Sequence, residues 1–271
     1  MLAARLVTAI GLLTLFCGAL LLLPNGLWAA FLLLGLCIAS FEWAALAHYG
    51  AAARWFFTVI VTVSAVLLLI DMQATALHVI LYWTAVAFWL VVVSGWLVGS
   101  WRPLRNRFAL GVVGWLVLVP TWLALTMLQR SPAELIGMLA IVWVADTAAY
   151  FVGRRYGRHH LAPRISPGKT WEGVIGACAA VAVYYSVLWS IFGGDRPLRD
   201  AVGGVLLFAA VTAMSVQGDL FESWMKRQAG VKDSGKLLPG HGGILDRIDG
   251  LTASMPLAAL WFHYFNRPGF L

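Results

Sequence analysis

Between residues 215 and 250 the chain reads SVQGDLFESWMKRQAGVKDSGKLLPGHGGILDRIDG, the densest run of chemically capable side chains in the sequence. Asp219, Glu222, Ser223 and Lys226 follow one another at i, i+3, i+4 and i+7, so on a helix they share one face. Residues 201–218 before them carry no charge, which makes this face the cytoplasmic end of a membrane helix. An ionisable side chain at the centre of such a helix costs about 2.5–3.5 kcal/mol, so the two carboxylates need partners or water. Further on, Pro239-Gly240-His241-Gly242-Gly243 forms a turn whose backbone can be closely approached, and from Ile244 a helix would place Asp246 and Asp249 one turn apart on one face. A glycine-rich turn feeding a helix N-terminus offers free N–H groups and a positive dipole end, which suits phosphate. Two aspartates beside it repel each other and the phosphate unless divalent cations lie between. Mg2+ is the expected ion, because it takes a few carboxylates, keeps waters and bridges to substrate phosphate. Lys226, Arg227, Lys232, Lys236 and Arg247 surround these acids. The pattern fits metal-assisted phosphoryl chemistry; a solvated mixed-charge loop would leave the PGHGG turn unexplained.

A second constellation runs from Asp146 through Tyr150 and Gly153-Arg-Arg-Tyr-Gly157 to Ile165-Ser-Pro-Gly-Lys-Thr-Trp-Glu172. Ser166 followed by Pro167 predicts a helix start with Ser166 as N-cap, setting Lys169 and Thr170 beside an exposed helix N-terminus. Gly168-Lys169-Thr170 matches the end of a P-loop, but that pattern needs a glycine at 163, which is Pro163, and a preceding strand, which the sequence does not predict. The phosphate-binding role is retained and the P-loop rejected. Asp146, late in an apolar run, is a functional candidate, with pairing to a loop arginine as the structural alternative. Glu42 and His78 stand alone in apolar segments and read as hydrogen-bonded helix contacts; His159-His160 reads as surface.

The elements that position these residues follow from composition. The 271 residues are 61% hydrophobic and 11% charged, with a mean hydropathy of +0.84; a soluble domain carries about 25% charge, so this is a membrane protein. A span needs roughly 20 apolar residues, and nine runs qualify: 5–23, 27–46, 55–70, 74–99, 108–128, 132–152, 173–192, 201–217 and 251–265. Pro24-Asn25-Gly26 ends the first, which reads as a retained anchor because no small-x-small cleavage site follows it. With the N-terminus in the cytoplasm, the inner segments hold Arg5, Arg54, Arg102, Arg105, Arg107, Arg154, Arg155, Arg158, Arg164, Lys169, Lys226, Arg227, Lys232, Lys236 and Arg247, and only Arg130, Arg196, Arg199 and Arg267 lie outside. That asymmetry satisfies the positive-inside rule, and it gives the net charge of +7 a role other than binding nucleic acid. The expected fold is all-α and polytopic, with about nine transmembrane helices: an N-terminal membrane half (1–130, about five spans) and a catalytic membrane half (131–271, about four spans plus two cytoplasmic motif loops). Trp28, Trp55, Trp101, Trp171 and Trp261 fall near span ends, as interfacial aromatics do. Gly95-x-x-x-Gly99 and Gly153-x-x-x-Gly157 have the spacing of close helix contacts. Cys17, Cys37 and Cys178, far apart in apolar stretches, read as small core residues without a disulfide.

The run Ser223-x-Met225-Lys226-Arg227-x4-Lys232-Asp233-x-Gly235-x2-Leu238-Pro239-x-His241-Gly242-Gly243-Ile244-x-Asp246-Arg247-Ile248-Asp249 resembles the signature of the phosphatidate cytidylyltransferases, or CDP-diacylglycerol synthases. The SPGKTWEG segment and Asp146 to Gly157 are also similar to that family, so the likeness is strong over about residues 140 to 255. The resemblance implies transfer of a cytidylyl group from CTP to phosphatidate, releasing diphosphate, in phospholipid biosynthesis; the charge asymmetry sets the expected site on the cytoplasmic face, and the short single chain suggests a bacterial cell (inner) membrane. It also implies Mg2+, K+ as an accompanying cation, and a homodimer. On it, Asp219, Asp246 and Asp249 are expected to hold metal, with Lys226 and Arg247 beside them as catalytic groups. Arg227, Lys232, His241, Gly242, Gly243, Ser166, Lys169, Thr170, Asp146, Glu222 and Ser223 are expected at the substrates. Rival readings are a CTP-dependent lipid kinase, a CDP-alcohol phosphotransferase, whose Asp-Gly-x2-Ala-Arg motif Asp249-Gly250-Leu-Thr-Ala-Ser fails to match, and an ion-coupled transporter, which would place polar residues in both halves.

Overall fold

The structure is a computed structural model that describes residues 2–70, 75–98, 104–194, 196–237 and 242–265, the side chains of 2–9 and 98 excepted. It is built from helices because a chain this apolar has to satisfy its backbone hydrogen bonds internally. They are α1 (Leu2–Leu22), α2 (Asn25–Leu46), α3 (Ala51–Ile70), α4 (Thr75–Ala87), α5 (Ser94–Val98), α6 (Arg107–Leu128), α7 (Pro132–Tyr156), α8 (Trp171–Phe192), α9 (Leu198–Gln228) and α10 (Leu245–Phe265). A π-helical segment, Phe88–Val93, joins α4 to α5 in one rod, so nine rods are described where nine spans are expected. Among the described residues seven of them are long and apolar enough to cross a membrane. The other two are α1, whose apolar stretch is shorter over the residues considered (Ile10–Leu22), and α10, whose first turns carry Asp246 and Asp249. The latter helix starts six residues before the expected span at 251, because its polar N-terminal end belongs to the same helix as its apolar body.

The rods run back and forth between two ends. At one end Asn25 Nδ2 donates to Gln129 Oε1 (2.9 Å), and Gln129 Nε2 donates to the carbonyl oxygens of Leu20 (3.1 Å) and Leu23 (2.9 Å). At the other, Gln228 and the backbone of Leu104 exchange two hydrogen bonds of 2.8 Å. Helix α10 packs against α9, α7, α6 and α4, and one hydrophobic core runs through both halves of the chain. Pro256 within α10 has no N–H for the Thr252 carbonyl; Thr121 Oγ1 of α6 donates to that oxygen at 3.1 Å, supplying the missing bond from a neighbouring helix. The outward faces of α3 (Phe56, Val59, Val63, Leu67) and α8 (Ile175, Val183, Val187, Ile191) are exposed and apolar, as a lipid-facing belt requires.

Three sequence expectations change here. Trp28 is fully buried and donates to the Leu125 carbonyl at 3.1 Å, so it is a core residue and no interfacial anchor, while Trp55 and Trp171 are exposed at helix starts as expected. Trp101 lies outside the described residues. Cys178 is exposed rather than part of the core; all three cysteines are free. The Gly153 spacing is realised as an α7–α8 contact, since a Cβ there would stand 3.6 Å from the Gly173 Cα, whereas open space surrounds Gly95 and Gly99 lies outside the described residues.

Candidate active site

Four elements meet at the end of the bundle that holds Gln228 and the glycine-rich turn. Helix α7 brings Asp146, Ala149 and Tyr150; the segment before α8 brings Leu161, Gly168, Lys169 and Thr170; α9 brings Val216 and Asp219; α10 brings Asp246 and Asp249. Together with Gly173 and Val174 they line a cavity of about 340 Å³. Glycines allow the close approach. A Cβ at Gly218 would collide with the Asp249 carbonyl, and one at Gly173 would meet the Ala149 carbonyl oxygen at 2.9 Å. Small residues therefore bring α9 to α10 and α8 to α7 closely enough for aspartates from three helices to face one space.

The segment leading to α8 differs from expectation. Ser166 is not a helix N-cap. Residues Ser166–Thr170 form a strand, β2, paired antiparallel with β1 (His160–Ala162) in register His160 to Thr170 and Ala162 to Ser166. The cap is Thr170, whose Oγ1 accepts from Gly173 N at 3.2 Å. The strand pairing holds the 166–170 backbone extended, so the helix waits until Trp171. Glu172 locks the junction by accepting from the backbone N–H groups of Arg158 (3.1 Å) and His159 (3.2 Å) and by pairing with His159 Nδ1 (2.6 Å). His159 is at the surface as expected. A strand does precede Gly168-Lys169-Thr170, contrary to the sequence reading, but these residues lie inside β2 rather than in a loop, so P-loop geometry is absent from this segment.

Two lysines neutralise the acids. Lys169 forms an ion pair with Asp219. Lys226 pairs with Glu222, one helical turn back, and with Asp246 Oδ1 at 2.6 Å; these three side chains are at most 12% exposed. Asp246 Oδ2 accepts from Ser234 N (2.9 Å), Ser234 Oγ (2.9 Å) and Gly243 N (2.8 Å), which ties the glycine-rich loop to the first turn of α10. Ser223 Oγ reaches Asp219 at 3.5 Å. Thus Asp219, Glu222, Ser223 and Lys226 do lie together on α9, and Asp246 and Asp249 do open α10.

Among the described residues the cavity wall contains Asp146, Lys169, Thr170, Asp219, Asp246 and Asp249 of the expected set. Glu222, Ser223 and Lys226 stand behind that wall. Gly242, with φ of 76°, and Gly243 shape the loop. Arg227 donates to the carbonyl oxygens of Ile165 and Val231, both at 3.2 Å, bracing the hairpin from α9. Lys232 and Arg247 are exposed, Ser166 is half-buried outside the cavity wall, and His241 falls outside the described residues. Two residues with a strong part in the geometry went unremarked in the sequence: Ser234, and Gly218 directly before Asp219. Glu42 is the helix contact it was read to be, but its partners are the loop and the N-terminus of α10, with Leu245 N donating to it at 3.0 Å. No local pattern could reveal a partner 203 residues away.

The wall sets four aspartates beside one lysine, so its lining is rich in carboxylates. No three of the described Asp, Glu, His and Cys side chains converge closely enough for an all-protein metal cage. That donor set suits Mg2+ held by one or two carboxylates and completed by substrate phosphate oxygens and water. Fold and site together define a polytopic membrane protein that gathers carboxylates and lysines at the end of its helices, an arrangement suited to phosphate chemistry at a bilayer surface. The chain belongs to the Cytidylyltransferase family, whose profile matches residues 3–265, and so is a nucleotidyltransferase. It is 39% identical to the phosphatidate cytidylyltransferase of Pseudomonas aeruginosa over 277 aligned positions, covering 99% of this chain and 100% of that protein. It is also similar to the phosphatidate cytidylyltransferases of Haemophilus influenzae, 47% identical over 133 positions (48% of this chain, 46% of that protein), and Thermotoga maritima, 46% identical over 128 (46% and 47%).

Proposed function

We propose that the chain transfers the cytidylyl group of CTP to phosphatidate, giving CDP-diacylglycerol and diphosphate. The observation that carries this reading is the meeting of Asp146, Lys169, Asp219, Asp246 and Asp249 around one cavity at the membrane-helix ends, in a chain similar along nearly its whole length to a phosphatidate cytidylyltransferase. A phosphate oxygen of the lipid forms a bond to the α-phosphorus of CTP while the bond from that phosphorus to the bridging oxygen of the β-phosphate breaks, and diphosphate leaves. The lipid phosphate is already ionised, so no strong general base is needed. Lys169, released from Asp219, orients and neutralises a phosphate, and Thr170 holds the start of α8 beside it. Lys226 keeps Glu222 and Asp246 from repelling the incoming anions. Asp219, Asp246 and Asp249 would hold the cations, Mg2+ through one or two of these carboxylates and K+ as the accompanying ion; bound there, Mg2+ would supply charge neutralisation to the triphosphate and the departing diphosphate. Arg227, Lys232, His241 and Arg247 add positive charge around the loop.

The same reading puts the enzyme in a bacterial inner membrane as a homodimer, with the N-terminus and the cavity on the cytoplasmic side. Its basic residues then serve membrane orientation and the phosphates of nucleotide and lipid, and not nucleic acid. Purified protein given phosphatidate, Mg2+ and CTP labelled at either the α or the γ phosphorus tests the reaction. Label from the α position is expected in the lipid. Transfer of the γ label would instead identify a lipid kinase and overturn the proposal.

A further inference from the structure

Glu42 lies near the end of α2 in the N-terminal half, is 7% exposed, and belongs to none of the expected site motifs. Its Oε1 accepts from Ile244 N at 3.1 Å, and its Oε2 accepts from Leu245 N at 3.0 Å and from Ser234 Oγ at 3.1 Å. Ile244 directly precedes α10 and Leu245 is its first residue, so the carboxylate sits at the positive end of that helix and occupies N–H groups that would otherwise lack partners. The loop is built around it, because a Cβ at either Gly235 or Gly243 would collide with the Glu42 carboxylate. Ser234 Oγ is also 2.9 Å from Asp246 Oδ2, so one hydroxyl spans the two carboxylates. An anchor on α2 thereby holds both ends of the loop, within the turn that carries Asp246 and about one turn before Asp249.

We propose that Glu42 is a positioning residue for the catalytic aspartates, fixing the first turn of α10 and the glycine-rich loop against the N-terminal half while itself remaining outside the substrate cavity. Its kinetic consequence rests on the cytidylyl-transfer reading; the positioning itself does not. Glu42→Gln keeps the size of the side chain but removes the charge and turns one acceptor into a donor that faces the N–H of either Ile244 or Leu245. Hydrogen exchange of the protein in lipid nanodiscs is expected to rise at least about tenfold in peptides spanning 243–249, with α3 and α6 unchanged. In the α-labelled CTP assay kcat is expected to fall about 10- to 100-fold, the scale of a small misplacement of reacting groups, with less change in KM for CTP. Ser234→Ala should move the same peptides and kcat less, and the double variant should be no worse than Glu42→Gln alone. Unchanged exchange at 243–249, or a kcat equal to that of the wild type, overturns the proposal. If Glu42→Gln fails to fold, Ser234→Ala decides: faster exchange at 243–249 supports the anchor and unchanged exchange overturns it. If wild-type protein transfers no α label, the reaction is wrong, and the exchange measurement still decides the anchor.

Discussion

Asp249 and Asp246 are one helical turn apart, yet they differ in how fully their own chain employs them. Asp246 has both carboxylate oxygens engaged, by Lys226 on one side and by Ser234 and Gly243 on the other. Its removal would therefore disturb the loop as well as the chemistry. Asp249 faces the cavity, and its carboxylate accepts from the next backbone N–H, Gly250 N at 2.8 Å. Asp249→Asn is accordingly the cleaner probe of cation binding. It is expected to lower cytidylyl transfer at least about 10²-fold, the scale of losing one electrostatic stabiliser, without lowering the thermal midpoint in detergent. Transfer at the wild-type rate by the folded variant would remove Asp249 from the metal-binding set. The identities of these acids were readable in the sequence because i, i+3 and i+4 spacing survives any packing arrangement. The division of labour between Asp246 and Asp249 was not, since it depends on Lys226 and Ser234 reaching one of them across a loop.

For the helices, the limiting quantity is how closely two backbones approach. Gly218 is the contact of α9 with α10 at the level of Asp249. Gly218→Ala is expected to push the two helices apart and lower turnover about 10²-fold, since a displacement near 1 Å carries that cost. Gly35→Ala in α2, where a Cβ meets nothing within 4 Å, should leave turnover unchanged. Turnover measured on both variants checks the pair; equal rates would show that α9 and α10 tolerate the added methyl. Helix bodies were legible as apolar runs, and their ends were not. The rule that reads charge as the end of a span set the spans at 201–217 and 251–265, and the helical turns expected over Asp219–Lys226 and from Ile244 prove continuous with them in α9 and α10. The β1–β2 hairpin was missed because Ser-Pro is a good helix start taken locally, and pairing with His160–Ala162 outweighs that preference.

Among the described residues nine rods alternate between two ends, and the basic-residue asymmetry is the ground for the proposed orientation with the N-terminus in the cytoplasm. In a cysteine-free background, Ser131→Cys should react with a membrane-impermeant thiol reagent in intact cells, and Gly50→Cys should react only after lysis. The reverse pattern would invert the topology. The contact between Glu42 and α10 also has a consequence for the order of synthesis. Glu42 leaves the ribosome about two hundred residues ahead of Ile244 and Leu245. Through the formation of six further rods its carboxylate stands without its eventual donors. When α10 arrives, its first turn finds an acceptor already in place, so the cavity can close around its aspartates only as this helix docks. Assembly of the aspartate-lined cavity and docking of α10 are then a single event.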